Sequence, residues 1–206
     1  FSQGADMPRL ICIEGLDGSG KTTLMDRVKK KLEADGQKVL LTSPFLTTDY
    51  DVQFKSDILN SKDIFLETTG MANVLYRFQN YLQKLIDSNE YDVILIDRYL
   101  PSFYVYQIYV QDHQSMLSSM LLDRLIVRDT FNIEYFFLVA SEDITKMRLV
   151  SEVVDDADLR SMTQYKCHLD GYRSYFGKDD IQFRELCNDT LHDLDNNITL
   201  ITGISG

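Results

Sequence analysis

A glycine-rich segment near the start of the chain constrains its fold more than any other feature. Residues 15–22 read Gly-Leu-Asp-Gly-Ser-Gly-Lys-Thr and fit the pattern G-x-x-x-x-G-K-[S/T] at every position. A short apolar run, 10–14, precedes the segment, and Lys21–Ala34 follows it with an apolar residue at every fourth position. This order predicts a buried strand, a tight glycine loop and an amphipathic helix.

The same segment predicts a binding site for phosphate groups. Glycines let the backbone curl so that several N–H groups point inward, and the N-terminus of the following helix adds a partial positive charge. Lys21 supplies an ammonium group for the β- and γ-phosphates of a nucleotide, and the hydroxyl of Thr22 is the expected ligand of Mg²⁺. A glycine turn without a ligand is the alternative, and the flanking strand and helix argue against it.

A carboxylate follows a second buried strand. Residues 93–96 are a continuous run of Val, Ile and Leu, typical of a strand covered on both faces, and Asp97 comes directly after them. In a parallel sheet this position lies at the edge where ligands bind. Asp97 is therefore expected to hold Mg²⁺ through water, with a turn-capping role as the alternative.

Strand-like and helix-like patterns alternate along the rest of the chain. Helical spacing predicts helices at 71–86, 115–127, 142–176 (with a charged interruption) and 181–194. Together with 10–14, apolar runs predict strands at 38–42, 92–96, 135–139 and 198–202. Alternation of this kind, with strands apolar on both faces, predicts a three-layer α/β fold: a parallel sheet of about five strands flanked by helices.

Length and charge limit the remaining possibilities. The chain has 206 residues, 44% of them hydrophobic, which suits one domain; we expect it to span 7–206, with 1–6 a remnant of an expression vector. A net charge of −11 argues against nucleic acids and anionic membranes as partners. The apolar stretches fall far short of the roughly 20 residues that span a bilayer. Three cysteines without a CxxC pair indicate a reducing, cytoplasmic environment.

Two segments resemble the thymidylate kinase family. Residues 13–23, Ile-Glu-Gly-Leu-Asp-Gly-Ser-Gly-Lys-Thr-Thr, are similar to its opening. Residues 97–107, Asp-Arg-Tyr-Leu-Pro-Ser-Phe-Tyr-Val-Tyr-Gln, are similar to its D-R-Y-x-x-S-x-x-A-Y-Q segment. Weaker similarities are the Arg77-x-Gln79 step on a helix and Gly171-Tyr172 at the end of a lid helix. No Asn-Lys-x-Asp motif of the GTPases is present.

The resemblance implies a P-loop nucleoside-monophosphate kinase that transfers phosphate from ATP to dTMP, giving ADP and dTDP. It implies that the ATP phosphates are held by Gly15, Gly18, Ser19, Gly20, Lys21, Thr22 and Thr23. It places Asp17 near the acceptor phosphate or its metal and implies that Arg98 binds that phosphate. Around the rest of the acceptor it places Tyr99, Tyr106 (against the sugar), Gln107 and Arg77. Members of the family are often homodimers, so a homodimer is a possibility here.

The sequence also departs from the family. Thr42-Ser43-Pro44-Phe45 stands where the family has Arg-Glu-Pro-Gly, and Asn73 stands where it has a Phe that stacks on thymine. Asn73 leaves the preferred base open, because an amide reads bases by hydrogen bonds. A lid at about 142–162 offers Arg148 and Arg160 as cations for the transition state, with a solvated charged face as the alternative. The family commonly ends in a helix after its last strand, whereas here the last strand is predicted close to the end.

Two other functions fit the same motifs. Deoxynucleoside kinases resemble this family and use a carboxylate at the position of Ser43 to deprotonate a 5′-hydroxyl. Because a hydroxyl acceptor needs that proton removed, its absence favours a monophosphate acceptor. The other alternative is a weakly active nucleotide-binding or regulatory protein, which the altered 42–45 segment and the acidic lid keep open.

Overall fold

The computed structural model describes residues 7–44, 63–110, 115–150, 163–177 and 181–203. Its elements are β1 (Arg9–Gly15), α1 (Lys21–Ala34), β2 (Val39–Thr42), α2 (Ile64–Ser88), β3 (Val93–Asp97), α3 (Leu100–Tyr104), a π-helical turn (Val105–Tyr109), α4 (Ser115–Arg128), β4 (Ile133–Val139), α5 (Glu142–Val150), α6 (Tyr165–Phe176), β5 (Phe183–Cys187) and α7 (Leu191–Thr202). Phe45, Arg160 and the lid segment 151–162 lie outside the described residues.

The five strands form one parallel sheet in the order β2-β3-β1-β4-β5. β1 is central, and its register with β3 places Ile13 opposite Asp97. The carboxyl ends of all strands meet at one edge, so the loops that follow β1 and β3 lie side by side there. The topology therefore brings the glycine loop next to the Asp97-Arg98 turn.

Both faces of the sheet are covered by helices. Even-numbered β1 residues such as Leu10 and Cys12 pack towards α2, α3, α4 and α6, in the larger of two apolar clusters. Odd-numbered residues such as Ile11 and Ile13 pack towards α1 and α7 in the second cluster. Because side chains alternate across a strand, a strand covered on both sides is apolar throughout. The three-layer α/β fold with five parallel strands is confirmed.

The prediction for the end of the chain is wrong in its assignment of elements. Residues 181–194 do not form one helix, because they contain β5 and only the start of α7. Residues 198–202 are the last turns of α7 and not a strand. Thr190 begins that helix with a capping box, its side chain accepting the Asp193 N–H while the Asp193 carboxylate accepts the Thr190 N–H. The chain thus does have a helix after its last strand.

A half-buried carboxylate at the end of α4 gives a prediction on stability. Burial raises the pKa of Asp129 to about 6, although its Oδ1 accepts the Phe131 N–H at 3.2 Å. The folded state then loses stability as the pH rises from about 4 to about 6, since the unfolded carboxyl ionises first. Asparagine keeps the acceptor and cannot ionise. We expect Asp129→Asn to stabilise the fold by about 1–2 kcal/mol at about pH 8, allowing for partial exposure.

Urea unfolding at two pH values checks this prediction. The gain should vanish at about pH 4, where the carboxyl is protonated in both states. The exposed Asp170 on α6, a helix outside α4, provides the matched control, Asp170→Asn. A gain that is equal at both pH values would contradict the assignment to ionisation.

Candidate active site

The glycine loop connects β1 to α1 and packs closely against two other parts of the chain. Gly18 and Gly20 have φ angles of +74° and +92°, which disfavour residues with a Cβ. A Cβ at Gly18 would lie 2.8 Å from the Thr145 carbonyl oxygen on α5, and one at Gly20 would lie 2.5 Å from Nδ2 of Asn188. The glycines are therefore required both by the turn and by its neighbours.

Lys21 lies over this loop as the first residue of α1. Its Nζ donates to the carbonyl oxygens of Gly15 at 3.0 Å and Leu16 at 2.8 Å, and the side chain is buried. Burial, with a smaller contribution from the charge of Arg98, lowers the pKa of Lys21 to about 8. An anion bound in the loop would stabilise the ammonium form.

Arg98 lies in the turn after β3 and points towards the same loop. Its Nη2 forms an ion pair with Asp17, and its Nη1 donates to the hydroxyls of Tyr172 at 3.0 Å, Ser102 at 3.3 Å and Tyr106 at 3.4 Å. Burial alone lowers the pKa of Arg98, but Asp17 and the tyrosines raise it above its usual value. The site thus holds a permanently charged, planar cation beside the phosphate loop.

One cavity of about 520 Å³ joins these groups. Its walls include Asp17, Gly18, Gly20, Lys21, Thr22, Thr23, Asp97, Arg98, Arg148 and the segment 188–191. The cationic side chains that reach it come from three separate elements: α1, the turn after β3, and α5. Such convergence suits a ligand with several phosphate groups.

Arg148 connects α5 to the rim of the cavity. Its Nη1 donates to the carbonyl oxygens of Gly18 at 3.3 Å and Ser19 at 3.1 Å, and its Nη2 donates to that of Asn188 at 2.8 Å. Nδ2 of Asn188 donates to the same Ser19 carbonyl at 2.8 Å. These bonds tie the loop carbonyls of Gly18 and Ser19 to α5 and to the segment after β5.

The residues at the cavity fit a magnesium ion. Oδ1 of Asp97 is buried and has no hydrogen-bond partner among the described residues, and the exposed Thr22 hydroxyl belongs to the same cavity wall. Mg²⁺ prefers oxygen ligands and commonly uses one or two protein side chains with waters and phosphates.

No helix in the described ranges is long and apolar enough to cross a membrane.

The other residues predicted for the site have several different surroundings. Asn73 and Arg77 are on the exposed face of α2, and Tyr99 is in the core, its ring 5.8 Å from that of Phe78. Gln107 is buried and bonded to two α2 side chains, donating to Glu67 and accepting from Thr68, both at 2.8 Å. Gly15 and Ser19 are buried within the loop itself, and Tyr106 is half-buried, with Arg98 5.6 Å from the centre of its ring.

The sequence reasoning gave no role to several residues that shape the site. Asn188, Asp189 and Thr190 line the cavity directly after β5, and they were hidden because 181–194 was interpreted as one helix. Glu14 and Ser102 stood inside the quoted motifs without a function. For the segment 188–190 the capping pattern of Thr190 and Asp193 was the available signal.

A five-stranded parallel sheet, a phosphate loop after its central strand and an arginine turn after the neighbouring strand together define a P-loop kinase fold. Comparison with known proteins gives the particular group. A family model described as thymidylate kinase matches residues 13–172. The chain belongs to the thymidylate kinase family, which confirms the resemblance found in the sequence.

Individual relatives agree with this assignment. The chain is 26% identical over 183 residues to the thymidylate kinase of Mycoplasmopsis agalactiae, covering 84% of each protein. It is 29% identical over 106 residues to that of Staphylococcus haemolyticus, covering 51% of the chain and 52% of the relative. The crystal structure of thymidylate kinase from Ehrlichia chaffeensis superimposes with a TM-score of 0.67 at 19% identity, over 95% of this chain and 99% of that one. This last likeness establishes the shared fold.

Proposed function

We propose that the protein transfers the γ-phosphoryl group of ATP to dTMP, giving ADP and dTDP. The observation that carries this proposal is the placement of Lys21 and Arg98 on the walls of one cavity. Two phosphorylated substrates repel each other, so a kinase of this kind needs a separate cation for each. The names of the relatives in the thymidylate kinase family support the choice of dTMP.

The proposed mechanism assigns each substrate to one side of the cavity. The loop N–H groups and Lys21 bind the ATP phosphates, exchanging the carbonyl partners of Nζ for phosphate oxygens. Arg98 binds the acceptor phosphate through its planar fork. Thr22 and Asp97 would hold Mg²⁺, which supplies charge neutralisation on the transferring group when bound. Holding both phosphates in line provides most of the rate enhancement.

The surroundings of the acceptor favour a monophosphate over a nucleoside. Thr42 and Ser43, which replace the family's Arg and Glu, are both buried and carry no carboxylate. Asp17 is ion-paired with Arg98, which gives it a positioning role. A phosphate oxygen needs no general base, whereas a 5′-hydroxyl does.

Arg148 is the proposed cation for the transition state. It already bonds to the loop carbonyls of Gly18 and Ser19, so a small change of its side chain would bring it to phosphates in the same cavity. Arg160 remains a proposed second cation from the lid. Such arginines stabilise charge that develops during transfer.

An acceptor panel tests the proposed function. The protein is assayed with ATP, Mg²⁺ and, in turn, dTMP, dUMP, dCMP, dAMP, dGMP and thymidine. We expect the highest kcat/KM with dTMP and at least about 100-fold less with thymidine. Faster use of thymidine would support a deoxynucleoside kinase instead, and tight ATP binding without transfer to any acceptor would support a regulatory protein. Faster use of another monophosphate would contradict dTMP as the preferred acceptor.

The affinity for ATP should depend on pH through Lys21. Because the pKa of Lys21 is about 8, the free protein loses this positive charge as the pH rises through that value. We expect the Kd of ATP to increase by up to about tenfold per pH unit above about pH 8, since the anion requires the ammonium form. Calorimetric titration at a series of pH values measures this dependence. A constant Kd up to about pH 9.5 would contradict it.

We also propose a homodimer formed through α4, in a cytoplasmic setting that suits the three free cysteines. The outer face of α4 carries apolar residues that are largely exposed: Met116 (78%), Met120 (58%) and Val127 (77%). Tyr76 of α2, 44% exposed, lies beside them with its ring 4.3 Å from the guanidinium of Arg128. An apolar ridge of this kind, interrupted by the exposed Asp123 between Met120 and Val127, is typical of a protein interface.

A charge in this ridge should separate the subunits. We expect Met120→Lys to convert a dimer into a monomer, because placing an ammonium group in an apolar interface is unfavourable, on the order of a 100-fold weaker association. Light scattering after size-exclusion chromatography measures the mass. Leu200→Lys on α7, where the residue is 46% exposed on the other side of the sheet, is the control and should leave the mass unchanged. A wild-type monomer would contradict the proposal.

A further inference from the structure

A buried carboxylate lies behind the active-site arginine. Glu14 is the residue before Gly15 at the end of β1, and none of its surface is exposed. Its Oε1 accepts the Tyr99 N–H at 2.6 Å, and its Oε2 accepts the Ser102 hydroxyl at 2.6 Å. Burial raises the pKa of Glu14, and the bond from Ser102 and the charge of Arg98 oppose that rise. Burying a carboxylate is unfavourable, and the proposed transfer does not use this one, so we expect it to have a structural role.

The hydrogen bonds around Glu14 form a chain with one direction. Nη1 of Arg98 can only donate, and it donates to the Tyr172 hydroxyl at 3.0 Å. The Tyr172 hydroxyl lies 2.9 Å from Oγ of Ser102. The Ser102 hydroxyl donates its own proton to Glu14. Tyr172 therefore donates to Ser102, and every proton in the chain from Arg98 points towards the carboxylate.

Glu14 also fixes the backbone from which Arg98 projects. Arg98 has a φ of +64°, a left-handed conformation that costs about 1 kcal/mol or more for a residue with a Cβ. The Arg98 N–H donates to the carbonyl oxygen of Ile13 at 3.3 Å, and the next N–H, that of Tyr99, donates to Glu14. Ile13 and Glu14, consecutive residues of β1, thus accept the N–H groups of Arg98 and Tyr99 and hold the strained turn in place.

We propose that Glu14, acting through Tyr99, Ser102 and Tyr172, is a positioning residue that fixes the guanidinium of Arg98 for the acceptor phosphate. The inference rests on the proposed function and deepens it. A bidentate grip on phosphate works only if the plane of the guanidinium is held, and Arg98 has its chain of partners on one side and Asp17 on the other. Because Tyr172 belongs to α6, the chain also links the acceptor site to the helix that follows the lid.

Replacing the carboxylate by an amide reverses the direction of these hydrogen bonds while keeping the side-chain volume nearly the same. In Glu14→Gln one oxygen can still accept the Tyr99 N–H, but the amide nitrogen then donates to Ser102. The Ser102 proton must turn towards Tyr172, whose hydroxyl already accepts from Arg98. The Tyr172 proton is left without an acceptor, and the arginine must shift.

The experiment compares kinetics and binding for three variants and two controls. Glu14→Gln reverses the direction of the hydrogen bonds, and Ser102→Ala and Tyr172→Phe each interrupt their series. Tyr104→Phe is the matched tyrosine control, since its hydroxyl also joins α3 to α6, through Ser174 at 3.0 Å, away from Arg98. Ser118→Ala is the matched serine control, because its hydroxyl is buried without a partner in the described part of the chain. Circular dichroism verifies the fold of each.

We expect the KM for dTMP to rise at least about tenfold in the three variants, with the KM for ATP within about twofold and both controls near wild type. Combining Glu14→Gln with Ser102→Ala should add little to either change, because both act on one chain. Should Glu14→Gln fail to fold, Ser102→Ala and Tyr172→Phe decide the question.

Three results would overturn the inference: an unchanged KM for dTMP in the folded variants, an equal rise in the KM for ATP, or equal effects in the controls. Calorimetric binding of dTMP without ATP separates this inference from the proposed function. Wild-type protein that binds dTMP but transfers nothing refutes the function alone, provided the variants weaken that binding. Wild-type protein that does not bind dTMP refutes both.

Discussion

Lys21→Ala is expected to lower kcat for phosphoryl transfer by at least about 1,000-fold, or about 4 kcal/mol of transition-state stabilisation. Lys21 is the only side chain of the glycine loop that carries a positive charge, and it bonds to the Gly15 and Leu16 carbonyls where phosphate is proposed to bind. Its lowered pKa shows that folding disfavours the ammonium form, so we expect the alanine variant to fold.

A coupled assay with saturating ATP and dTMP measures this effect. Lys29→Ala on the same helix is the control, because Lys29 forms an exposed ion pair with Glu33 at 3.7 Å. Its rate should stay close to wild type. A Lys21→Ala rate within about tenfold of wild type, in protein that retains its helical circular dichroism, would refute the role of Lys21.

Arg98→Ala is expected to affect the acceptor far more than the donor. We expect the KM for dTMP to rise at least about 100-fold, while the KM for ATP changes by less than about threefold. Arg98→Lys should recover little, because an ammonium cannot reproduce the planar fork or its simultaneous bonds to Asp17 and Tyr172.

The control for this prediction comes from α6. Arg173→Ala removes an arginine whose Nη2 pairs with Glu185 at 2.8 Å on the surface, and both KM values should remain unchanged. Equal loss of ATP and dTMP affinity in Arg98→Ala would contradict a specific role of Arg98 in binding the acceptor. Normal kinetics with dTMP would remove Arg98 from the reaction altogether.

The parts of the site that sequence alone predicted are those written in local patterns at strand ends. The loop 15–22 and the pair Asp97-Arg98 each follow a run of buried apolar residues, and parallel pairing of β1 with β3 brings them together. The alternation of such runs with helical spacing was enough for the three-layer fold. Local pattern and global topology agree here, so the inference from one to the other holds.

Sequence patterns failed where a short strand has the spacing of a helix. The apolar side chains of β5 and α7 can be placed on one helical stripe, and nothing in the periodicity marks the break after Cys187. The capping box at Thr190 is the physical signal that ends one element and starts the next. Missing it also hid Asn188, whose amide holds the Ser19 carbonyl of the phosphate loop.

The chain of bonds behind Arg98 could not be read from the sequence for a different reason. Glu14 lies 85 residues from Tyr99 and 88 from Ser102, and Tyr172 lies a further 70 residues along. Such contacts exist only after the sheet and α6 have assembled. The buried pairing of Gln107 with Glu67 and Thr68 is likewise a product of packing between α2 and the π-helical turn.

Following the label of [γ-³²P]ATP in the presence of dTMP tests most directly whether the cavity holds a donor and a phosphorylated acceptor together. The label should appear in dTDP, much more slowly in Lys21→Ala and, at dTMP concentrations near the wild-type KM, much more slowly in Arg98→Ala. Label released only as inorganic phosphate, or retained in ATP that is demonstrably bound, would contradict the proposed transfer.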